Sequence, residues 1–214
     1  MFRGHYDNWI LSRIAGIDKY IGLPYFNGKK LLELGCGHAH VGNLFHEAGA
    51  DVTSSDARTE HIEVVNKIYP HLKTIVLDGD KDIIPDTYDV IVQWGLLYHL
   101  EEIENHLKMV SQKCKILLLE TEVSDSSDVS LFVSVQEGGY DQAFNSKGIR
   151  PSQTNVEEKL TRNGFKFRVI KDSILNSDFH IYDWDEQNTG RYPSGLRRFW
   201  ICWKDIESPF LPTL

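Results

Sequence analysis

The segment Lys30–Leu34 and the Gly35-Cys36-Gly37 that follows it constrain this chain more than any other stretch. Lys30 to Leu34 reads as a short, mostly apolar strand. Two glycines in the next three positions permit a tight turn, because glycine reaches positive φ without a Cβ clash. Beyond the turn, Val41, Leu44, Phe45 and Ala48 recur on one helical face and Gly49 marks its end. A strand, a glycine turn and a helix form the opening unit of a parallel α/β sheet, and the bare backbone of the turn lets a ligand approach closely.

The same alternation continues along the chain. Residues 8–20 carry Trp9, Ile10, Ile14 and Ile17 at helical spacing before Gly22-Leu23-Pro24 stops them, which predicts a helix within an N-terminal segment 1–28. Residues 51–55, 73–77, 88–94, 115–119, 165–170 and 198–204 predict strands; 59–68, 101–110 and 156–162 predict helices. The run 88–94 is almost wholly apolar, as a strand covered on both faces should be. Glu101, Glu102 and Glu104 supply the charge favoured in a first helical turn. Strands alternating with helices imply a doubly wound, mostly parallel sheet, since each crossover lays its helix against a face. Periodicity fails over 124–152 and 171–196. Long irregular stretches within a compact fold are commonly lids or binding loops, so one domain, 1–214, is expected, with two insertions covering its site.

Composition narrows the function. The 214 residues, 41% hydrophobic and 25% charged, suffice for one well-filled core. No run approaches the roughly 18 apolar residues of a membrane span, and the first residues lack the apolar core of a signal peptide, so a cytoplasmic protein without membrane attachment is expected. Cys36, Cys114 and Cys202 are odd in number, far apart and in apolar surroundings, which suits reduced core thiols and predicts neither a disulfide frame nor a metal site. A net charge of −8 repels phosphate backbones and disfavours nucleic acid as a partner. A local patch around Arg150, Arg191, Arg197 and Arg198 would be the sign of the opposite.

Several side chains stand where chemistry is expected. Glu33 ends an apolar strand, where a buried acid wants a cation or a set of donors. About twenty residues on, Asp56 follows the second strand, the position from which an acid accepts bonds from ribose hydroxyls. A dinucleotide site would want a third glycine three positions after Gly37, and His40 stands there. His99 lies just beyond the fourth strand, at the sheet edge where α/β ligands bind, and is read either as a base or as a helix-capping histidine. Glu120 and Glu122 follow the fifth strand, as site acids or as partners for Arg150. Tyr140, Phe144, Tyr182, Trp184 and Tyr192 fall in the two irregular stretches, as satellite core or as walls of a pocket.

Glu33, Gly35 and Gly37 together resemble the first motif of the class I S-adenosylmethionine (SAM)-dependent methyltransferases, with Ala39 at the usual third small position. Asp56 resembles the family's ribose-binding acid, Asp78-Gly79-Asp80 its acidic turn near adenine, and residues 88–95 its fourth motif. The resemblance covers roughly 31–119 and the closing elements. It implies a seven-stranded sheet with the last strand, 198–204, antiparallel. It also implies SAM as cofactor and S-adenosylhomocysteine (SAH) as product, held by Glu33, Gly35, Cys36, Gly37, Asp56, Ala57, Asp78, Gly79 and Gln93. His99 is the first candidate base, followed by Glu120 and Tyr98. Trp94, Tyr140, Arg150, Tyr182, Arg191 and Tyr192 are candidates for contacts to a small-molecule acceptor. A narrower likeness, in residues 95–100, 118–122 and 150–152, is to the catalytic domain of the tRNA wobble-uridine carboxymethyltransferases. That would bring in carboxy-SAM, with Arg150 or Arg191 pairing the added carboxylate. A non-catalytic SAM-binding module is the third reading, against which the two covering stretches argue.

Overall fold

The computed structural model describes residues 5–139, 142–192 and 195–212. Its strands are β1 (Lys30–Leu34), β2 (Asp51–Asp56), β3 (Lys73–Val76), β4 (Tyr88–Trp94), β5 (Cys114–Glu122), β6 (Phe132–Gln136), β7 (Lys147–Pro151), β8 (Lys166–Val169) and β9 (Arg197–Trp203). Its helices are α1 (His5–Tyr20), α2 (His40–Glu47), α3 (Thr59–Ile68), α4 (Ile103–Lys113) and α5 (Gln153–Arg162). Seven strands form one sheet in the order β3-β2-β1-β4-β5-β9-β8. The pairs among β1 to β5 are parallel, and β9 runs antiparallel to both β5 and β8. Strand order reverses between β1 and β4, so the loops leaving these two strands diverge and open a crevice at the carboxyl edge of the sheet.

Both faces of the sheet are covered, which is why its central strands read as unbroken apolar runs. Val90, Val92 and Trp94 join a cluster with Ile10, Ile17 and Phe45, while Ile91, Leu117 and Leu119 join another with Leu107, Val156 and Trp200. Cys114 and Cys202 are buried, Cys36 is half-buried, and all three are free thiols. Among the described residues no helix is long and apolar enough to cross a membrane.

The structure departs from the sequence reading in four places, three through a partner in another segment and the fourth through a local N-cap. The stretch 124–152 contains an antiparallel ribbon, β6 paired with β7; Val133 and Val135 alternate as half-buried residues with exposed Phe132, Ser134 and Gln136, a period of two. Helix α4 starts at Ile103, because the Asp80 carboxylate accepts bonds from Glu101 N (3.0 Å) and Glu102 N (2.9 Å) and caps the chain there, leaving Glu104 alone in the first turn. Strand β5 runs on to Glu122 because β9 pairs along it, Glu120 facing Phe199 and Glu122 facing Arg197. Helix α5 starts at Gln153, with Ser152 Oγ accepting from Asn155 N at 3.0 Å as its N-cap.

Candidate active site

A cavity of about 360 Å³ opens at the crevice, lined from the loops that leave β1 to β4, the end of β5, helix α1 and both irregular stretches. One end is the glycine turn. Gly35 and Gly37 take φ of 68° and 52°, and Ala39 takes 56°; a Cβ on Gly35 would meet Leu96 Cδ1 at 3.0 Å. Cys36 N donates to Ser55 O at 2.8 Å, which locks the turn to β2. Asp56 is 7% exposed; it accepts from Gly37 N at Oδ2 and from Arg58 N at Oδ1, both at 2.9 Å, with His61 Nδ1 3.1 Å from Oδ1. Asp56 thus ties the end of β2 to the turn. Ala57 lines the cavity beside it.

Glu33, 4% exposed, also lines this end. Its Oε2 accepts from Ser54 Oγ at 2.7 Å. Burial raises its pKa to about 7, against the opposing bonds from Ser54 and the Gly42 N–H. Gly42 leaves room for the carboxylate, since a Cβ there would lie 2.4 Å from Glu33 Oε2 and 2.5 Å from Ser54 Oγ. The donors that Glu33 was expected to need are therefore a hydroxyl and a backbone amide. Asp78 and Gly79 line the cavity too. Gly79 O lies 2.9 Å from His106 Nδ1, and the side-chain amide of Gln93 lies 3.0 Å from His106 Nε2. Burial keeps this imidazole's pKa low. Gln93 is fully buried behind the wall, so it braces the acidic turn through His106 and is not among the lining residues.

The other end is built over a chain of buried ion pairs. Glu120, 0% exposed, accepts from Arg197 Nη1 (2.9 Å), Tyr182 Oη (3.2 Å) and Arg13 Nη1 (3.4 Å). Arg197 Nη2 reaches Tyr98 Oη at 3.1 Å and Glu122 Oε1 at 3.5 Å. Glu122 pairs with Arg150 Nε at 2.5 Å, Arg150 Nη2 donates to Glu137 Oε1 at 2.8 Å, and Glu137 Oε2 bonds His99 Nδ1. Three arginines alternate with three glutamates, so the chain's charges compensate one another, as buried ions must. Burial, then the Glu120 charge, pushes the Tyr182 phenol up and keeps it a donor. Burial opposes ionisation of Glu137 as well, yet the bonds from His99, Ala143 N and Arg150 bring its pKa down to about 2.

Tyr98, His99 and Trp94 line this cavity, as do the glycine-turn residues, Asp56, Ala57, Asp78 and Gly79. Glu120 does not: it is sealed beneath the wall between two guanidiniums. Tyr182 is fully buried, its hydroxyl accepting from Trp9 Nε1 at 2.6 Å, and belongs to the packing under the site. Arg150 is committed to Glu122 and Glu137, and Arg191 and Tyr192 are exposed; none of the three is a lining residue. The expected partners for a carboxylate on the cofactor are therefore absent from the wall. Tyr140 lies outside the described residues. Phe144, a candidate pocket wall, lines the cavity, and Trp9 and Arg13 of α1, Arg58, Gln142, Phe179, His180 and Arg197 line it without being candidates from the sequence. The spacing of Trp9 and Arg13 on one helical face was the only local signal. Gln142 and Phe144 come from the first irregular stretch, Phe179 and His180 from the second. Arg58 Nη2 donates to Gln142 O at 2.8 Å, and the Trp9 and His180 rings lie 4.1 Å apart.

A family model described as a methyltransferase domain matches residues 10–168. Over 97 residues the chain is 31% identical to the mitochondrial ubiquinone biosynthesis O-methyltransferase of Schizosaccharomyces pombe, a match covering 42% of this chain and 35% of that protein. Its fold is similar to that of an S-adenosylmethionine-dependent methyltransferase from Mesorhizobium loti, with 18% identity, a TM-score of 0.63, and 85% and 93% of the two chains covered. It is also similar to the N-terminal domain of EvdMO1, whose structure was solved in the presence of SAH and D-fucose, with 17% identity, a TM-score of 0.68, and 94% and 83% covered. The matched residues run from α1 to β8 and include the glycine turn, Asp56 and His99, and the chain belongs to the methyltransferase-domain family, with the class I fold.

Proposed function

We propose that this chain methylates a protic group, foremost a hydroxyl, on a small molecule, with His99 as the general base. The observation that carries this reading is that one cavity joins the glycine turn to an imidazole whose Nδ1 is tied to a carboxylate. Among the described residues no hydrogen bond engages His99 Nε2, which leaves that atom for a proton from the acceptor. Bound SAM supplies a methyl group on a sulfonium, an electrophile that loses its charge on transfer. The residues present fit such a ligand. The turn is a cradle of bare backbone at positive φ, where a Cβ on Gly35 would also press on Leu96. The Asp56 oxygens keep acceptor capacity for ribose hydroxyls beyond their present bonds, and Glu33 offers a carboxylate to an ammonium group.

Residues 124–152 and 171–196 act, in this reading, as covers that align the acceptor and exclude water, work that supplies much of the acceleration in an in-line displacement. Gln142, Phe144, Phe179 and His180 support it, because they reach the same cavity from the two stretches. The cavity volume falls in the range of small-ligand sites, and the relative's printed name, an O-methyltransferase, favours oxygen as the acceptor atom. A nucleic-acid acceptor is disfavoured because Arg197 and Arg198 are buried and Arg150 is paired with two glutamates, so these three form no surface stripe. The test is SAH release from SAM with a panel of small hydroxylated acceptors. His99→Asn should keep its affinity for SAH and lose on the order of 10²- to 10⁴-fold in turnover. Wild-type turnover in that variant would overturn the base, and a melting-temperature shift with NAD but not with SAM or SAH would overturn the cofactor end.

A further inference from the structure

We infer that Glu137, at the end of β6, is the positioning carboxylate of His99: it holds the imidazole with its proton on Nδ1 and its lone pair on Nε2. This rests on the reading of His99 as the base. An ionised carboxylate only accepts hydrogen bonds, so a neutral imidazole bonded to it through Nδ1 must carry its proton there, and the second nitrogen is then the basic one.

Glu137 is built to stay ionised and still. It is 5% exposed. Oε1 accepts from Arg150 Nη2 at 2.8 Å, and Oε2 accepts from Ala143 N at 2.9 Å as well as facing His99. Arg150 is itself anchored, by Glu122 and by the Tyr98 carbonyl at 3.2 Å. On the other side, His99 closes a short 3₁₀ turn, Leu97–His99, with its N–H on Leu96 O at 2.8 Å. The two segments approach closely only because residue 148 is glycine: a Cβ there would lie 2.5 Å from Tyr98 O and 2.8 Å from Glu137 Oε1. Docking of the ribbon does not depend on the imidazole, because Arg58 holds Gln142 O and Lys81 Nζ reaches Asn145 Oδ1 at 3.2 Å. With SAM bound, Nε2 would take the acceptor's O–H proton as the methyl group passed from the sulfonium sulfur to that oxygen, leaving a neutral thioether. Glu137 takes no proton; it stabilises the imidazolium through the Nδ1–H bond.

The experiment is NMR of protein labelled with ¹⁵N-histidine, the His99 ring being assigned by its loss in His99→Asn. The result expected is that the ring's neutral form carries its proton on Nδ1, with that proton shifted strongly downfield. In Glu137→Gln the amide oxygen still accepts, so the tautomer persists while the Nδ1 proton moves upfield; in Glu137→Leu the two tautomers mix. SAH binding by each variant reports that it is folded, and Glu137→Gln alone decides the matter if Glu137→Leu does not fold. A wild-type ring protonated on Nε2, or an Nδ1 proton unmoved by Glu137→Gln, overturns the inference. Loss of turnover in His99→Asn alongside an unmoved Nδ1 proton removes Glu137 and keeps the base, whereas normal turnover in His99→Asn removes the base reading itself.

Discussion

The two ends of the cavity treat their acids in opposite ways. At the glycine turn, Glu33 and Asp56 sit mainly among backbone amides and a hydroxyl, and among the described residues no arginine or lysine side chain is bonded to either. At the far end, Glu120, Glu122 and Glu137 sit against guanidiniums that neutralise them. An acid among neutral donors keeps its charge available to a ligand, while an acid between arginines is committed to the fold. Two carboxylates with similar burial therefore report different things when removed: the first should read out in ligand affinity, the second in stability.

The largest effect expected from this contrast belongs to Glu120→Ala. Removing the carboxylate leaves Arg13 and Arg197 buried without their shared counter-charge, a loss of about 3–5 kcal/mol, measured from the urea midpoint at unchanged slope. A loss under about 1 kcal/mol, the worth of an exposed pair, would mean that the chain of ions is not coupled as its geometry implies. Next comes Asp56→Ala, which should weaken SAH by roughly 1–3 kcal/mol in titration calorimetry, the penalty for a polar ligand group left unpaired. Collapse of the fold with affinity intact would reverse the comparison.

The third effect is the pH dependence of Glu33. Its pKa stands at 4.5 in the unfolded chain and about 7 in the folded one, so between these values the folded protein holds a proton that the unfolded chain lacks. The resulting stability is fully present below pH 4.5 and is lost as pH rises through about 7. Stability should fall across that window in wild type, and Glu33→Gln should flatten the fall. A bound ammonium favours the ionised acid, so SAH should bind more tightly as pH climbs through about 7, with proton release visible in buffers of different ionisation enthalpy. An affinity that falls with pH would remove Glu33 from the ammonium site.

The same contrast explains what the sequence made legible. At the glycine turn, Gly37 bonds Asp56 19 residues on and Glu33 bonds Ser54 21 residues on. Those separations are set by one strand, one helix and the next strand, so they recur as spacing. At the far end, Arg13 meets Glu120 across 107 residues, Tyr98 meets Arg197 across 99 and Trp9 meets Tyr182 across 173; no local period encodes such pairs. Hence Tyr182 and Glu120 looked like site residues by position after a strand or within a loop, although their partners lie beneath the wall. Glu137 was hidden for a related reason, because the ribbon that presents it is short and its alternation is weak beside the Asp- and Ser-rich residues before it. His99 was legible because it directly follows β4, where topology alone brings it to the crevice.

The most direct test of the account is a crystal structure with SAH bound. The account predicts the ribose hydroxyls on Asp56, the amino group beside Glu33, and the sulfur facing His99 Nε2 across the space left for an acceptor. A sulfur more than about 10 Å from that nitrogen, too far for one acceptor atom or a bridging water to span in a near-attack geometry, would contradict it.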